Sequence, residues 1–235
     1  MPTITAGYDL FETIPGEANF LFPTSMPIPE GFFHKGSDPF MGTIRFEGVP
    51  IREFTDPRTG KKHKTGTTDT MVFRKQDVTI KSVPGSGTTE IELVHLSLRS
   101  CCPIEVQVGG HAQRWDVHLS LSRSKPSLGT MTITHESEHG GHFASEIRPV
   151  PVFRFERRSD GVERLLDLGA LPLPAEKQEL VVRLNTLQAS EVAWTNSPLE
   201  RENAVVLPEL TGSFHIPVPI YHNAAKHGIR RPVLF

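Results

Sequence analysis

Strict alternation of apolar and polar residues from Trp115 to Leu121 constrains the fold of this chain more than any other feature. Successive side chains of a β-strand point to opposite faces, so a period of two predicts a strand with one buried face. Trp115, Val117, Leu119 and Leu121 are therefore predicted to point inward. A half-buried strand requires a surrounding sheet and a second packed layer, which favours a β-rich fold.

The alternation continues beyond this strand. A turn at Lys125–Gly129 precedes the β-branched segment Thr130–Thr134, and a pair of glycines precedes Phe143–Phe155, which is interrupted by prolines. β-Branched residues favour strands, and glycine and proline favour the reversals between them. The whole stretch Trp115–Arg157 is predicted to be an antiparallel meander.

Turn-forming residues are abundant along the rest of the chain, which contains 20 Pro and 19 Gly in 235 residues. Hairpin tips are predicted at Asp56–Lys64 and Ser159–Gly161, and a change of phase near Val94 predicts a β-bulge. Ala175–Leu187 fits a helical face and strand alternation equally well. The predicted fold is an all-β antiparallel sandwich with at most one short helix.

Proline and aromatic residues are concentrated at both ends of the sequence. Residues 1–40 are predicted to be an extended N-terminal arm, residues 41–204 the sandwich, and residues 205–235 an extended C-terminal arm. Each arm either covers the core of its own domain or packs on a neighbouring subunit. The apolar side chains expected to make these contacts are Phe20, Phe22, Phe32, Phe33, Ile216, Val218, Ile220 and Tyr221.

Charge and cysteine content restrict the possible partners. A formal net charge of -2 gives no basic surface for nucleic acid, and no apolar run reaches the roughly 18 residues that span a bilayer. No signal peptide is recognised, so either a cytoplasmic location or an extracellular one after removal of a leader is compatible with the sequence. The only cysteines, Cys101 and Cys102, are adjacent and are expected to be free thiols, because a disulfide between strand neighbours is strained.

One motif suggests a metal site. His135-Glu136-Ser137-Glu138-His139 matches the H-E-x-x-H pattern of zinc hydrolases, with His142 as a possible third ligand. That pattern depends on a helix to bring both histidines to one face, whereas strand-like alternation leads into this segment and glycines follow it. A solvated hairpin, an incidental site for zinc or another divalent metal, and a hydrolytic zinc site all remain open.

Several short segments resemble a group of uncharacterised bacterial β-rich proteins. The resemblance extends to about Leu168, implies a shared all-β fold and implies no activity, because the group has none assigned. The segments are Tyr8–Thr13, Pro27–Phe33, Gly36–Phe40, Asp69–Arg74, Gly129–Ile133 and Val150–Phe155.

Two functions from different classes are compatible with these patterns. The favoured interpretation is a non-catalytic structural protein, without a cofactor, whose arms pack on copies of itself in an oligomer or filament. The alternative is a zinc-dependent hydrolase that uses His135, Glu136, His139 and His142.

Overall fold

The computed structural model describes residues 1–171 and 187–195. These residues form strands and no helix, which confirms the all-β prediction. Residues 175–186, where a helix was an open possibility, lie outside the described part. The strands, in chain order, are β1 (Thr3–Ile4), β2 (Gly7–Phe11), β3 (Ala18–Phe22), β4 (Gly42–Gly48), β5 (Arg52–Thr55), β6 (Lys62–Gly66), β7 (Thr70–Arg74), β8 (Val78–Thr79), β9 (Gly85–Leu96), β10 (Leu98–Ser100), β11 (Ile104–Val108), β12 (His111–Leu121), β13 (Ser127–Ser137), β14 (Gly140–Ile147), β15 (Pro151–Arg157), β16 (Glu163–Asp167) and β17 (Leu187–Thr195).

The first sheet is antiparallel and has the order β16-β15-β12-β10-β4-β3, with β11 also paired to β12. The alternating strand β12 therefore lies at its centre, as predicted. Trp115 and Val117 are fully buried and Leu119 is 2% exposed, whereas Leu121 is half-buried at the strand's end. The inward face predicted from the period of two is confirmed at three of these positions.

The second sheet is also antiparallel, with the order β17-β14-β13-β9-β7-β2. The predicted bulge lies in β9, where Met71 pairs with His95 and Val72 pairs with Leu93. Val94 is the extra residue between these two pairs. A single inserted residue shifts the alternation by one, which explains the change of phase in the sequence.

The predicted meander over Trp115–Arg157 is wrong. β12 pairs with β15 in the first sheet, whereas β13 and β14 form a hairpin in the second sheet. The chain thus crosses between the sheets after Leu121 and returns after Ile147. Alternation predicts which face of a strand is buried, but it does not predict which strand it pairs with. The linkers at both crossings are also long enough to span the roughly 10 Å between packed sheets.

Each sheet curls around its own hydrophobic cluster. The aromatic cluster of the first sheet also receives Ile28 and Phe33 from the connection between β3 and β4, while the more aliphatic cluster of the second sheet includes Ile4 from β1. The half-buried Leu96 packs against both clusters. The two antiparallel sheets thus form curled half-barrels in a sandwich-like arrangement, rather than one closed barrel.

The segment predicted as an extended N-terminal arm is not separate from the sheets. β2 is the edge strand of the second sheet beside β7, and β3 is the edge strand of the first sheet beside β4. Both strands are free of proline, so their backbone groups can join a ladder. Apart from Pro2, which precedes β1, the prolines that suggested an arm lie in the connections before and after β3, where they do not interrupt pairing.

Both predicted hairpins are present. β5 and β6 flank the Asp56 tip, and β15 and β16 flank the Asp160 tip. The β5–β6 hairpin also packs on the second sheet, because Phe54 joins a small cluster formed by Tyr8, Leu10 and Met71.

Candidate functional site

The histidine motif lies on the β13–β14 hairpin. His135 pairs with Gly141 near the end of the ladder, and His139 occupies the turn that follows Ser137. The segment is a strand that ends at Ser137 and a turn, rather than a helix, so the two histidines do not lie one helical turn apart as the motif requires.

His135 points into the second sheet's hydrophobic cluster. Its side chain shares a face with Ile133, is 5% exposed, and lies against Trp194 with ring centroids 5.1 Å apart. Both ring nitrogens of His135 are buried without a hydrogen-bond partner. The imidazole therefore acts here as a core side chain, and the ring NH of Trp194 donates to the carbonyl oxygen of Thr134 instead.

His142 lies on the opposite face of the same hairpin, because it pairs directly with Thr134 and paired residues share a face. Its Nδ1 is 3.2 Å from Oε1 of Glu136. The structure thus separates His135 from His142 and leaves His139 exposed in the turn. Within residues 1–171 and 187–195, no three His, Cys, Asp or Glu side chains form a group that could hold a metal ion.

The N-terminal aromatic residues predicted to make assembly contacts lie in the core of their own chain. Phe20, Phe22 and Phe33 are at most 3% exposed, and Phe32 is half-buried. Phe33 is central, with ring-centroid distances of 5.0 Å to Phe32, 5.2 Å to Trp115 and 5.1 Å to Phe155. These side chains are thus already packed within one chain. Ile216, Val218, Ile220 and Tyr221 lie outside the described residues, so their role stays a prediction.

Two buried polar clusters that the sequence patterns did not indicate hold strand β2 in place. In the first, Nε of Arg74 donates to both carboxylate oxygens of Asp9, at 3.0 and 3.2 Å, and Nη1 donates to the carbonyl oxygen of Thr5. Asp9 and Arg74 are each 1% exposed. Burial raises the pKa of Asp9 to about 6, while the adjacent guanidinium opposes that shift.

The second polar cluster joins β2 to the β5–β6 hairpin. The hydroxyl of Tyr8 donates to Oδ1 of Asp56 at 3.0 Å, and Arg58 donates to both oxygens of the same carboxylate at 3.1 Å. The Arg58 guanidinium also lies 4.7 Å from the centre of the Tyr8 ring and 4.8 Å from that of Phe73. These contacts fasten the hairpin to the outer face of the second sheet.

Titration of this cluster follows from its geometry. Burial disfavours the ionised form of Asp56, but hydrogen bonds from Arg58 and Tyr8 outweigh burial and lower the Asp56 pKa to about 2. Burial and the hydrogen bond to Asp56 raise the pKa of Tyr8 to about 12. All three groups thus keep their ordinary charges at neutral pH, which is typical of a structural contact rather than of an acid–base catalyst.

The sequence contained only a weak signal for these clusters. Asp9 and Arg74 are 65 residues apart and Tyr8 and Asp56 are 48 apart. The turn residues at Asp56-Pro57 and the basic residues after them predicted a hairpin tip, but not that Arg58 folds back onto Tyr8. Pairing of β2 with β7 brings Asp9 to Arg74, and packing of the β5–β6 hairpin on the sheet brings Asp56 to Tyr8.

Comparisons with known proteins found no matching family model, no matching curated protein and no matching solved structure. The resemblance noted from short segments therefore stays untested. Among the described residues there is also no helix with the length and apolarity that a bilayer crossing requires.

Proposed function

We propose that this protein is a non-catalytic structural β-sandwich that associates with copies of itself through its C-terminal segment. The observation that supports the proposal is the open architecture that the two sheets have within residues 1–171 and 187–195. Each sheet ends in edge strands, β16 and β3 in the first and β17 and β2 in the second. The outer side of an edge strand presents NH and carbonyl groups with which an extended segment can pair.

The sequence of the C-terminal segment suits such pairing. In Ile216-Pro217-Val218-Pro219-Ile220 the prolines alternate with β-branched residues. Alternate NH groups of a strand point to the same side, so the prolines remove the donors from one side and leave those of Ile216, Val218 and Ile220 on the other. Such a strand can add to one edge and then prevents further addition there.

Among the described edge strands, β16 has an exposed large apolar side chain. It has five residues, and its Leu165 is 63% exposed on the side opposite the buried Leu166. An added strand with apolar side chains on one face would cover Leu165. The N-terminal aromatic residues are already used within their own chain, so the proposal rests on the C-terminal segment alone.

Light scattering after size-exclusion chromatography at micromolar concentration tests the proposal. We expect the full-length protein to be an oligomer, and a version ending at residue 204 to be a monomer. Val218→Asp should also give a monomer, whereas Asn223→Asp, which adds the same charge outside the apolar run, should not. A monodisperse monomer of the full-length protein would refute self-association.

A further inference from the structure

The connection between β10 and β11 bulges out next to strand β12. β10 and β11 both pair with β12, with Arg99 opposite His118 and Ile104 opposite Trp115. Four residues lie between Arg99 and Ile104, but only two lie between their partners. The β10–β11 side therefore has two extra residues, which a regular ladder cannot accommodate.

Cys101 and Cys102 lie in this bulge and are both exposed free thiols. The sequence placed them in a regular strand, where neighbouring side chains point to opposite faces. Their position outside the strands removes that constraint on the two side chains. We call this pair of residues the dithiol bulge.

The dithiol bulge is anchored on both sides. The NH of Cys101 donates to the carbonyl oxygen of Arg45 on β4 at 2.8 Å. Just before the bulge, the hydroxyl of Ser100 accepts a hydrogen bond from the NH of Val117 on β12 at 3.0 Å. The two thiols are thus presented from a fixed part of the first sheet.

A cation lies next to the dithiol bulge. Nε of Arg158 donates to both oxygens of Asp116, the residue of β12 that lies across from the bulge, at 3.0 and 2.9 Å. This hydrogen bonding raises the pKa of Arg158, and the nearby Cys102 sulfur adds to the shift.

We propose that Cys101 and Cys102 form a two-thiolate site for a soft metal ion, with monovalent copper as the ligand. Thiolates select soft ions, among which Cu(I) accepts as few as two sulfur ligands. Binding forms two Cu–S bonds and releases the two thiol protons to solvent. Neither copper nor sulfur changes its oxidation state, and the complex carries one negative charge close to the Arg158–Asp116 ion pair.

Competition for Cu(I) against bicinchoninate, under anaerobic conditions, tests this site on the full-length protein. The thiols are first reduced, and a count of two reactive thiols per chain confirms the starting state. We expect the wild-type chain to take one copper ion from the chelator. Cys101→Ser and Cys102→Ser should each bind copper about 100-fold more weakly. Either variant keeps one sulfur ligand and loses the affinity gained when two ligands are held in the same chain.

Met41→Leu is the matched control, because it removes an exposed sulfur atom from another part of the surface. It should bind copper like the wild type, and all variants should keep the circular dichroism spectrum of the wild type. Wild-type affinity in both serine variants would overturn the proposal. So would failure of the reduced wild type to take copper, or a ratio of one copper ion per two chains.

Discussion

The two halves of the N-terminal segment are held in opposite ways. Around Phe33, aromatic rings of the first sheet pack mainly against one another, whereas β2 is held by the Asp9–Arg74 and Tyr8–Asp56–Arg58 contacts. Burial of aromatic surface is non-directional and tolerates several partners. A buried charge needs a particular partner in a particular geometry. The contacts of β2 are therefore more specific than the packing around Phe33.

The largest effect is expected in the aromatic region. Phe33→Ala should lower the free energy of unfolding by about 4 kcal/mol, because it removes a fully buried ring and leaves a cavity among Phe32, Trp115 and Phe155. Urea denaturation measures the change. Phe32→Ala is the matched control at a half-buried neighbour and should cost clearly less; equal losses would mean that the cluster is not centred on Phe33.

The next largest effect is expected from the buried ion pair. Arg74→Met should lower the free energy of unfolding by about 3 kcal/mol, because it leaves the Asp9 carboxylate buried without its partner. Asp9→Leu combined with Arg74→Met should recover most of that loss, since no uncompensated charge remains. Arg99→Met, which breaks the exposed contact with Glu47, should cost less than about 1 kcal/mol.

The same ion pair predicts a pH dependence. The folded-state pKa of Asp9, about 6, lies above its usual value of 3.8, so the folded protein binds more protons than the unfolded chain between these values. The contribution of Asp9 to stability is therefore largest below pH 3.8 and is lost as the pH rises through about 6. Without Arg74 the charged form of Asp9 is disfavoured further. The loss of unfolding free energy caused by Arg74→Met should therefore shrink as the pH falls from 7 to 4. A cost that is constant over this range would contradict the assignment.

A smaller effect is expected at the hairpin contact. Tyr8→Phe should lower the free energy of unfolding by about 1 kcal/mol at neutral pH, because Asp56 loses one of its donors but keeps Arg58. The folded-state pKa of Tyr8 is raised to about 12, so its contribution is present below pH 10 and is lost as the pH rises through about 12.

The chain has two tyrosines, so absorbance of tyrosinate can follow this titration. Tyr221→Phe, as the control, should leave a single transition near pH 12, and Tyr8→Phe should abolish that transition. Persistence of the transition in Tyr8→Phe would show that another group is responsible.

An effect of similar size but opposite sign is expected at His135, a buried polar side chain whose ring nitrogens have no hydrogen-bond partner. His135→Leu should raise the free energy of unfolding by roughly 1 kcal/mol, because it replaces two unpaired ring nitrogens with apolar surface against Trp194. His142→Leu breaks only the partly exposed contact with Glu136 and should change stability by less than about 0.5 kcal/mol. Strong destabilisation by His135→Leu would indicate that the imidazole has a polar partner.

The candidate sites differ in how far local patterns could predict them. The H-E-x-x-H letters around His135 suggested a metal site, but the ligands of that motif meet only on a helix, and here the backbone is extended. Conversely, the sequence pattern predicted that Cys101 and Cys102 lie in a strand. The two extra residues of the β10–β11 connection follow only from the pairing of both strands with β12. A spacing of residues predicts a site only when the backbone conformation is also known.

The sequence by itself determined the class of fold, the inward face of β12, the bulge at Val94 and both hairpin tips, because these depend on side-chain alternation and turn preferences within a few residues. Only the tertiary structure decided that β13 and β14 lie in the other sheet from β12, and that β2 is held by Arg74 and Asp56. Strand partners and ion pairs join residues many positions apart. Which strands and charges pair depends on the free energy of the whole packed arrangement. That free energy cannot be read from any single segment of the sequence.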